Sequence, residues 1–185
     1  MTKTDLTKES IMEVARELLV EKGYANVSMR QIANKMNCSH GAIYYHFENK
    51  AALFYALVEN HFSLLEDKMN EVMEEQIEAT EKLRKLLLGF IKFGLENQGH
   101  YEIMFLIKDP EVLHFLNRSP SITYEKFAKH VAALSEKQLT VREIWSIFLS
   151  LHGFVTHYLR HVVKFHDVEE MADYHVNILI KSLCK

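Results

Sequence analysis

Apolar residues recur along this chain with the period of an α-helix, and the alternation expected of strands is missing. Ile11, Val14, Ala15, Leu18 and Leu19 fall at i, i+3, i+4, i+7 and i+8 and make one stripe, with Gly23 placed as a C-cap glycine. Ser28 and Gln31 have the spacing of a capping box and open a short second helix carrying Ile32, Ala33 and Met36. Ser39 caps a third short helix running to Phe47. Asn49 caps a fourth, striped by Leu53, Phe54, Leu57, Val58, Phe62, Leu65, Met69, Val72 and Met73 as far as about Glu75. At ~1.5 Å per residue such a helix spans ~40 Å, long enough to join two compact units.

Thr80 is placed to cap a fifth helix, apolar on most sides from Leu83 to Leu95, with Gly99 as its break and Tyr101 to Lys108 as a short apolar piece beyond it. Asp109-Pro110 and Ser119-Pro120 each read as a cap followed by proline at the first helical position. Thr140 and Glu143 form another capping box, leading into a long helix to about Val163. Asp167 to Glu170 repeats the spacing before a last helix with Val168, Met171, Ala172, His175, Ile178 and Leu179. The pattern predicts an all-α protein. Residues 1–48 form a three-helix unit containing a helix-turn-helix, and residues 49–185 a larger helical unit.

At 185 residues, 48% hydrophobic and 25% charged, the chain has the composition of a folded globular protein with a sizeable core. A net charge of −3 excludes a polycation that coats nucleic acid or membrane by bulk charge, but not a small basic face. Residues 1–50 carry seven Lys or Arg against six Asp or Glu, and four of those acids (Glu9, Glu13, Glu17, Glu21) lie on the first helix. From Asn26 to Lys50 only Glu48 opposes Arg30, Lys35 and Lys50. Cys38 and Cys184 have no zinc or CxxC spacing, the N-terminus lacks a signal peptide, and no uncharged apolar stretch is long enough for a membrane span. The expectation is a cytoplasmic protein with no membrane partner.

The chemistry concentrates between Asn26 and Lys50. Two short helices around Met36-Asn37-Cys38 offer the second helix to a DNA major groove. Ile43 and Phe47 anchor that helix. Ser28, Arg30, Ser39, His40, Gly41, Ala42, Tyr44, Tyr45, His46 and Lys50 are the candidate DNA contacts. Hydroxyl, imidazole and cationic groups serve phosphates and base edges, and Gly41 lets the backbone come close. Asn37 suits a left-handed turn.

The runs Val27 to Ala33 and Ser39 to Phe54, with Ala15-Arg16-Glu17-Leu18-Leu19 and Lys22-Gly23-Tyr24 upstream, resemble the DNA-binding domain of TetR-type transcriptional regulators. The resemblance covers about residues 5 to 60. The turn departs from it, with Met36-Asn37-Cys38 where the family often has Ala-Gly-Val. Trp145 followed by His152-Gly153 is similar, more thinly, to a Trp/His-Gly class of C-terminal domain in that family. The resemblance implies a homodimer with two helix-turn-helix heads, a double-stranded operator and a helical body that binds a small molecule.

For that unknown, mainly apolar effector the candidate contacts are Phe62, Phe90, Phe93, Tyr101, Met104, Phe105, Phe127, Trp145, Phe148 and His152. His157 and His161 are four apart on one helix, but no cysteine or carboxylate joins them at helical spacing, so no metal and no cofactor is expected. The last two helices, about 141–163 and 167–183, either close the chain's own core or pair with those of a second subunit as a four-helix bundle, and the resemblance implies the second. The function read from these features is a ligand-released repressor on a near-palindromic operator. The alternatives are a regulator without an effector and a small metal-dependent helical enzyme. The enzyme is disfavoured because no pair of Glu-x-x-His segments occurs.

Overall fold

A computed structural model describes residues 6–106, 119–159, 161 and 164–183. Its described residues form helices α1 (Lys8–Lys22), α2 (Met29–Lys35), α3 (His40–His46), α4 (Lys50–Glu74), α5 (Ala79–Glu96), α6 (Gln98–Phe105), α7 (Ser119–Leu134), α8 (Val141–Tyr158) and α9 (Glu169–Leu183). Single 3-10 turns lie at Tyr24–Asn26 and Phe165–Val168. No strand occurs among the described residues. The Asp109-Pro110 cap and Cys184 lie outside them.

The local signals act where their chemistry is strongest. Ser28 accepts a hydrogen bond from the Gln31 N–H while the Gln31 side chain takes the Ser28 N–H (2.8 Å), and Thr140 and Glu143 repeat this at α8. Thr7 and Ser10 form the same box at α1, a cap that the sequence reading passes over. Gly23 ends α1 at φ +74°, a conformation that suits glycine, and its N–H reaches the Leu19 carbonyl at 2.8 Å.

Four expected boundaries are corrected. α5 begins at Ala79, so Thr80 lies inside it and caps nothing; the Lys82 ammonium of α5 reaches back across the loop to the Met73 carbonyl near the end of α4 at 2.6 Å. α5 stops at Asn97, whose amide side chain donates to the Phe93 carbonyl, and Gly99 belongs to α6. α8 ends at Tyr158, so His161 is not on it and shares no helix face with His157. Asp167 folds back to accept the Lys164 N–H at 2.9 Å, and α9 starts two residues later without its help.

The helices divide into two compact units, Met1–His61 with Gly99–Pro120, and Phe62–Gln98 with Ser121–Lys185. This division by packing runs elsewhere than the division after residue 48 expected from the sequence. In the first unit α2 packs on α1 and α3, around Ile11, Ala15, Leu19, Ile32, Ala33 and Ile43, all buried. α6 adds Tyr101, fully buried and edge-tilted against Phe105 at 4.6 Å between ring centres. In the second unit α5 is central, buried through Leu83, Leu87, Phe90, Ile91 and Leu95, with α8 and α9 packed on it. Arg84 pairs there with Asp173, and Lys126 with Glu66.

Candidate nucleic-acid interface

The helix-turn-helix rests on one residue of unusual backbone. Asn37 stands at φ +52°, which among ordinary side chains Asn tolerates best, and the chain then turns so that the Cys38 N–H bonds the Ala33 carbonyl at 3.0 Å. Ser39 caps α3 by accepting the Ala42 N–H at 3.2 Å. Ile43 and Phe47 are buried, so α3 is held by its inner face and its outer face is fixed in orientation.

That outer face carries hydrogen-bonding tips. Tyr45 is 86% exposed and Tyr44, Ser39, His40 and Gly41 are exposed as well. The rings brace one another: His40 meets Tyr44 edge-on at 4.9 Å and Tyr45 meets His46 at 5.2 Å. A methyl group on Gly41 would touch nothing within 4 Å, so packing within the chain gives no reason for glycine there.

Other expected contacts are engaged inside the fold. Ser28 spends its hydroxyl on Gln31 in both directions, and Ala42 is half-buried with its N–H on Ser39. Lys50 turns inward: its ammonium donates to the Tyr24 carbonyl at 2.6 Å and lies 3.9 Å from the centre of the Tyr24 ring. The phosphate contact expected of Lys50 therefore competes with a bond that holds the end of α1 to the start of α4. Tyr24, itself edge-on to Phe54 at 5.2 Å, is the partner that sequence reasoning missed; its place beside Gly23 was the available signal. Lys35 pairs with Glu17 at 3.0 Å. Arg30 is exposed at the start of α2, and no ion pair engages it among the described residues. The face offers more neutral hydrogen bonding than charge.

Of the expected effector contacts, Phe90, Phe127, Trp145, Phe148 and His152 form one aromatic cluster on α5, α7 and α8. Phe148 is its hub, 5.6 Å from Phe90, 6.0 Å from Phe127 and 5.3 Å from Trp145, with His152 stacked at 6.2 Å. Tyr124 joins it, edge-on to Trp145 at 4.8 Å and Phe148 at 5.4 Å. It was missed although it lies one helical turn before Phe127. Burial pushes the His152 imidazole down from its ordinary pKa, so it stands neutral, and pushes the Tyr124 hydroxyl up. Phe62 and Phe93 are buried in the same unit. Tyr101 and Phe105 are not among this group: α6 places them in the first unit, and the Met104 side chain lies outside the described residues. Among the described residues no three His, Cys, Asp or Glu side chains gather as metal ligands, and no helix is long and apolar enough to cross a membrane.

Residues 11–57, which contain the whole helix-turn-helix, match the family model of bacterial regulatory proteins, tetR family. An HTH-type transcriptional regulator of Staphylococcus aureus (strain USA300) is 28% identical over 133 residues, 65% of this chain and 72% of the relative. Residues 11–57 therefore have the DNA-binding domain of the tetR family of bacterial regulatory proteins. The family and this relative are transcriptional regulators and not enzymes. The fold of the chain is shared with solved structures along almost its full length. The transcriptional regulator FadR from Bacillus subtilis, solved with stearoyl-CoA, superposes at TM-score 0.74 and 19% identity, covering 94% of this chain and 98% of that one. AibR, solved with isovaleryl coenzyme A and operator DNA, superposes at 0.69 and 18% identity, covering 94% and 97%.

Proposed function

We propose that this chain is a TetR-type regulator, a homodimeric repressor that binds a near-palindromic operator through α3 and is released by a small, mainly apolar effector. The observation that carries the reading is the outer face of α3, where Tyr45 and its neighbours present polar tips to water from a helix pinned by Ile43 and Phe47. Ser39, His40, Gly41, Tyr44, Tyr45, His46 and Arg30 are the contacts of this reading. Ser28 supports them by starting α2, and Lys50 by holding α4 to Tyr24. With so little free charge, affinity rests on two heads engaging half-sites one helical turn (~34–36 Å) apart.

The effector reading rests on the aromatic cluster around Phe148, with neutral His152 as its polar group. Two proteins of the same fold are solved with acyl-coenzyme A thioesters, so a series of acyl-CoAs of rising chain length makes the first set of probes. α4 has residues in both compact units and offers a covalent route for the signal. Effector and operator then weaken each other by the same factor, ~1–3 kcal/mol in a working switch.

The dimer reading is supported by a second exposed surface. Val141 (76% exposed), Trp145 (45%) and Leu149 (48%) line one face of α8, and Met171, Tyr174 and Ile178 are exposed on α9. An apolar face of this size is what a buried protein interface needs. The test is operator selection from random DNA with purified protein, followed by titration of the acyl-CoA series against the selected duplex. A selected sequence with two inverted half-sites, released by one of the series, is the expected result. An operator of a single half-site would sink the dimeric reading, and binding indifferent to every acyl-CoA would sink that effector class.

A further inference from the structure

We infer that Gly153 is the point where α8 crosses its copy in a second subunit, backbone against backbone. The inference rests on the dimer reading above and adds the register of the interface to it. Gly153 continues the exposed row Val141, Trp145 and Leu149 at four-residue steps, so the row consists of three bulky side chains and then a notch. Nothing within this chain asks for the notch. Gly153 is exposed, in the interior of an 18-residue helix, and a methyl group there would meet no atom beyond its own helical turn within 4 Å. Alanine would make a better helix by about 1 kcal/mol.

A second observation prepares the same spot for close contact. The Thr156 hydroxyl bends back to donate to the carbonyls of both His152 (2.9 Å) and Gly153 (3.0 Å). The hydroxyl is thereby spent on its own helix, and the backbone beside the notch is provided with a donor without water. A surface that satisfies its polar groups internally loses little when a second helix displaces solvent.

The occupant is a second copy of this chain because the neighbouring helix is self-complementary in charge. α9 has Glu169 and Glu170 in its first turn and Lys181 in its last, on either side of exposed Met171, Tyr174 and Ile178. A two-fold axis running across α9 sets it antiparallel to its mate and brings each acidic end to a basic one. An isologous crossing also puts one residue of α8 against itself, and a glycine is the residue that lets two helix axes come closest there.

The experiment is disulfide trapping in the full chain with Cys38 and Cys184 replaced by serine. Under mild oxidation Gly153→Cys is expected to form a 153–153 cross-linked dimer, since facing cysteines bridge when their Cα atoms lie within about 7 Å. Val141→Cys is expected to stay uncross-linked, being twelve residues or ~18 Å along the helix from the crossing. In parallel, sedimentation equilibrium is expected to show Gly153→Leu raising the dimer dissociation constant more than ~10-fold, with helicity retained by circular dichroism. A wild-type dissociation constant for Gly153→Leu, with Gly153→Cys failing to cross-link, overturns the inference. If Leu149→Glu then still dissociates the dimer, the face is right and the crossing lies elsewhere. If Leu149→Glu also leaves the dimer intact, the dimer forms through another face and the assignment of the interface to α8 and α9 has failed; a wild-type chain that sediments as a monomer is the failure of the dimer reading itself.

Discussion

The outer face of α3 and the outer face of α8 with α9 both keep large side chains in water, but one ends in hydroxyl and imidazole groups and the other mainly in aliphatic and thioether groups, with the Tyr174 hydroxyl and the Trp145 N–H as its polar tips. Tyr45 is as exposed as any residue of the second face, yet its tip can exchange a bond to water for a bond to a phosphate or a base edge. Val141 and Leu149 have no such exchange to make and gain only by losing water altogether. Their support differs too. α3 has seven residues and is held by two anchors and a cap, while α8 has eighteen and buries Ile144, Ile147, Phe148, Leu151 and Val155. Exposure alone therefore does not name a partner. The chemistry of the exposed tips does.

The largest effects should come from breaking the anchors of each face. Leu149→Glu places a carboxylate in the proposed apolar interface, at a cost of about 3–5 kcal/mol if it is left unpaired there. Sedimentation should then show monomers at micromolar concentration, with operator binding lost in proportion and the head still folded. Ile43→Ala removes the fully buried anchor of α3 and should lower stability by about 2–5 kcal/mol in denaturant unfolding. A wild-type unfolding midpoint there would mean that α3 is not held by its inner face.

Smaller changes sharpen the comparison. Lys50→Ala removes the bond to the Tyr24 carbonyl and should cost about 1.5–3 kcal/mol of stability. The salt dependence of operator binding should change by much less than the ~1.8 in slope that two lost phosphate contacts, one per head, give; a full step would restore Lys50 to the DNA surface. Tyr45→Phe should leave stability within about 0.5 kcal/mol of wild type and weaken the operator complex by about 0.5–1.5 kcal/mol. Unchanged affinity would make the ring a spacer and not a contact.

The smallest effect is that of acid. Burial disfavours the charged form of His152, so its pKa in the folded chain lies below the ~6.5 of the unfolded one. As pH falls through 6.5 the unfolded state takes up the proton first, so stability is complete above that value and declines below it. His130, depressed by burial and by Lys126, acts in the same direction. His152→Phe should flatten part of the decline in melting temperature between pH 7 and 5.

Legibility followed the range of the forces. Ser28 with Gln31, Thr140 with Glu143, Gly23, Asn37 and the Ile43/Phe47 pair all act within about four residues, and each was readable because its partner stands at a fixed spacing. Thr80 and Asp167 had the same local credentials and were overruled. At Thr80 the helix had already begun at Ala79, and at Asp167 the side chain bonds the Lys164 N–H instead. The aromatic cluster was half legible: Phe90, Phe127, Trp145 and Phe148 announce themselves by type, but only packing decided that Tyr124 joins them and that Tyr101 and Phe105 do not.

By itself, then, the sequence determined the all-α class, the helix-turn-helix, its anchors and the polar string on α3, because periodicity, capping and turn chemistry are written within single helical turns. Only the tertiary structure decided that the Lys50 ammonium is bound to Tyr24, that Phe148 is the hub of its cluster, and that Val141, Trp145 and Leu149 remain uncovered beside a glycine with nothing against it. These depend on which residues meet across tens of positions of chain. That is a property of packing, and no spacing along one helix contains it.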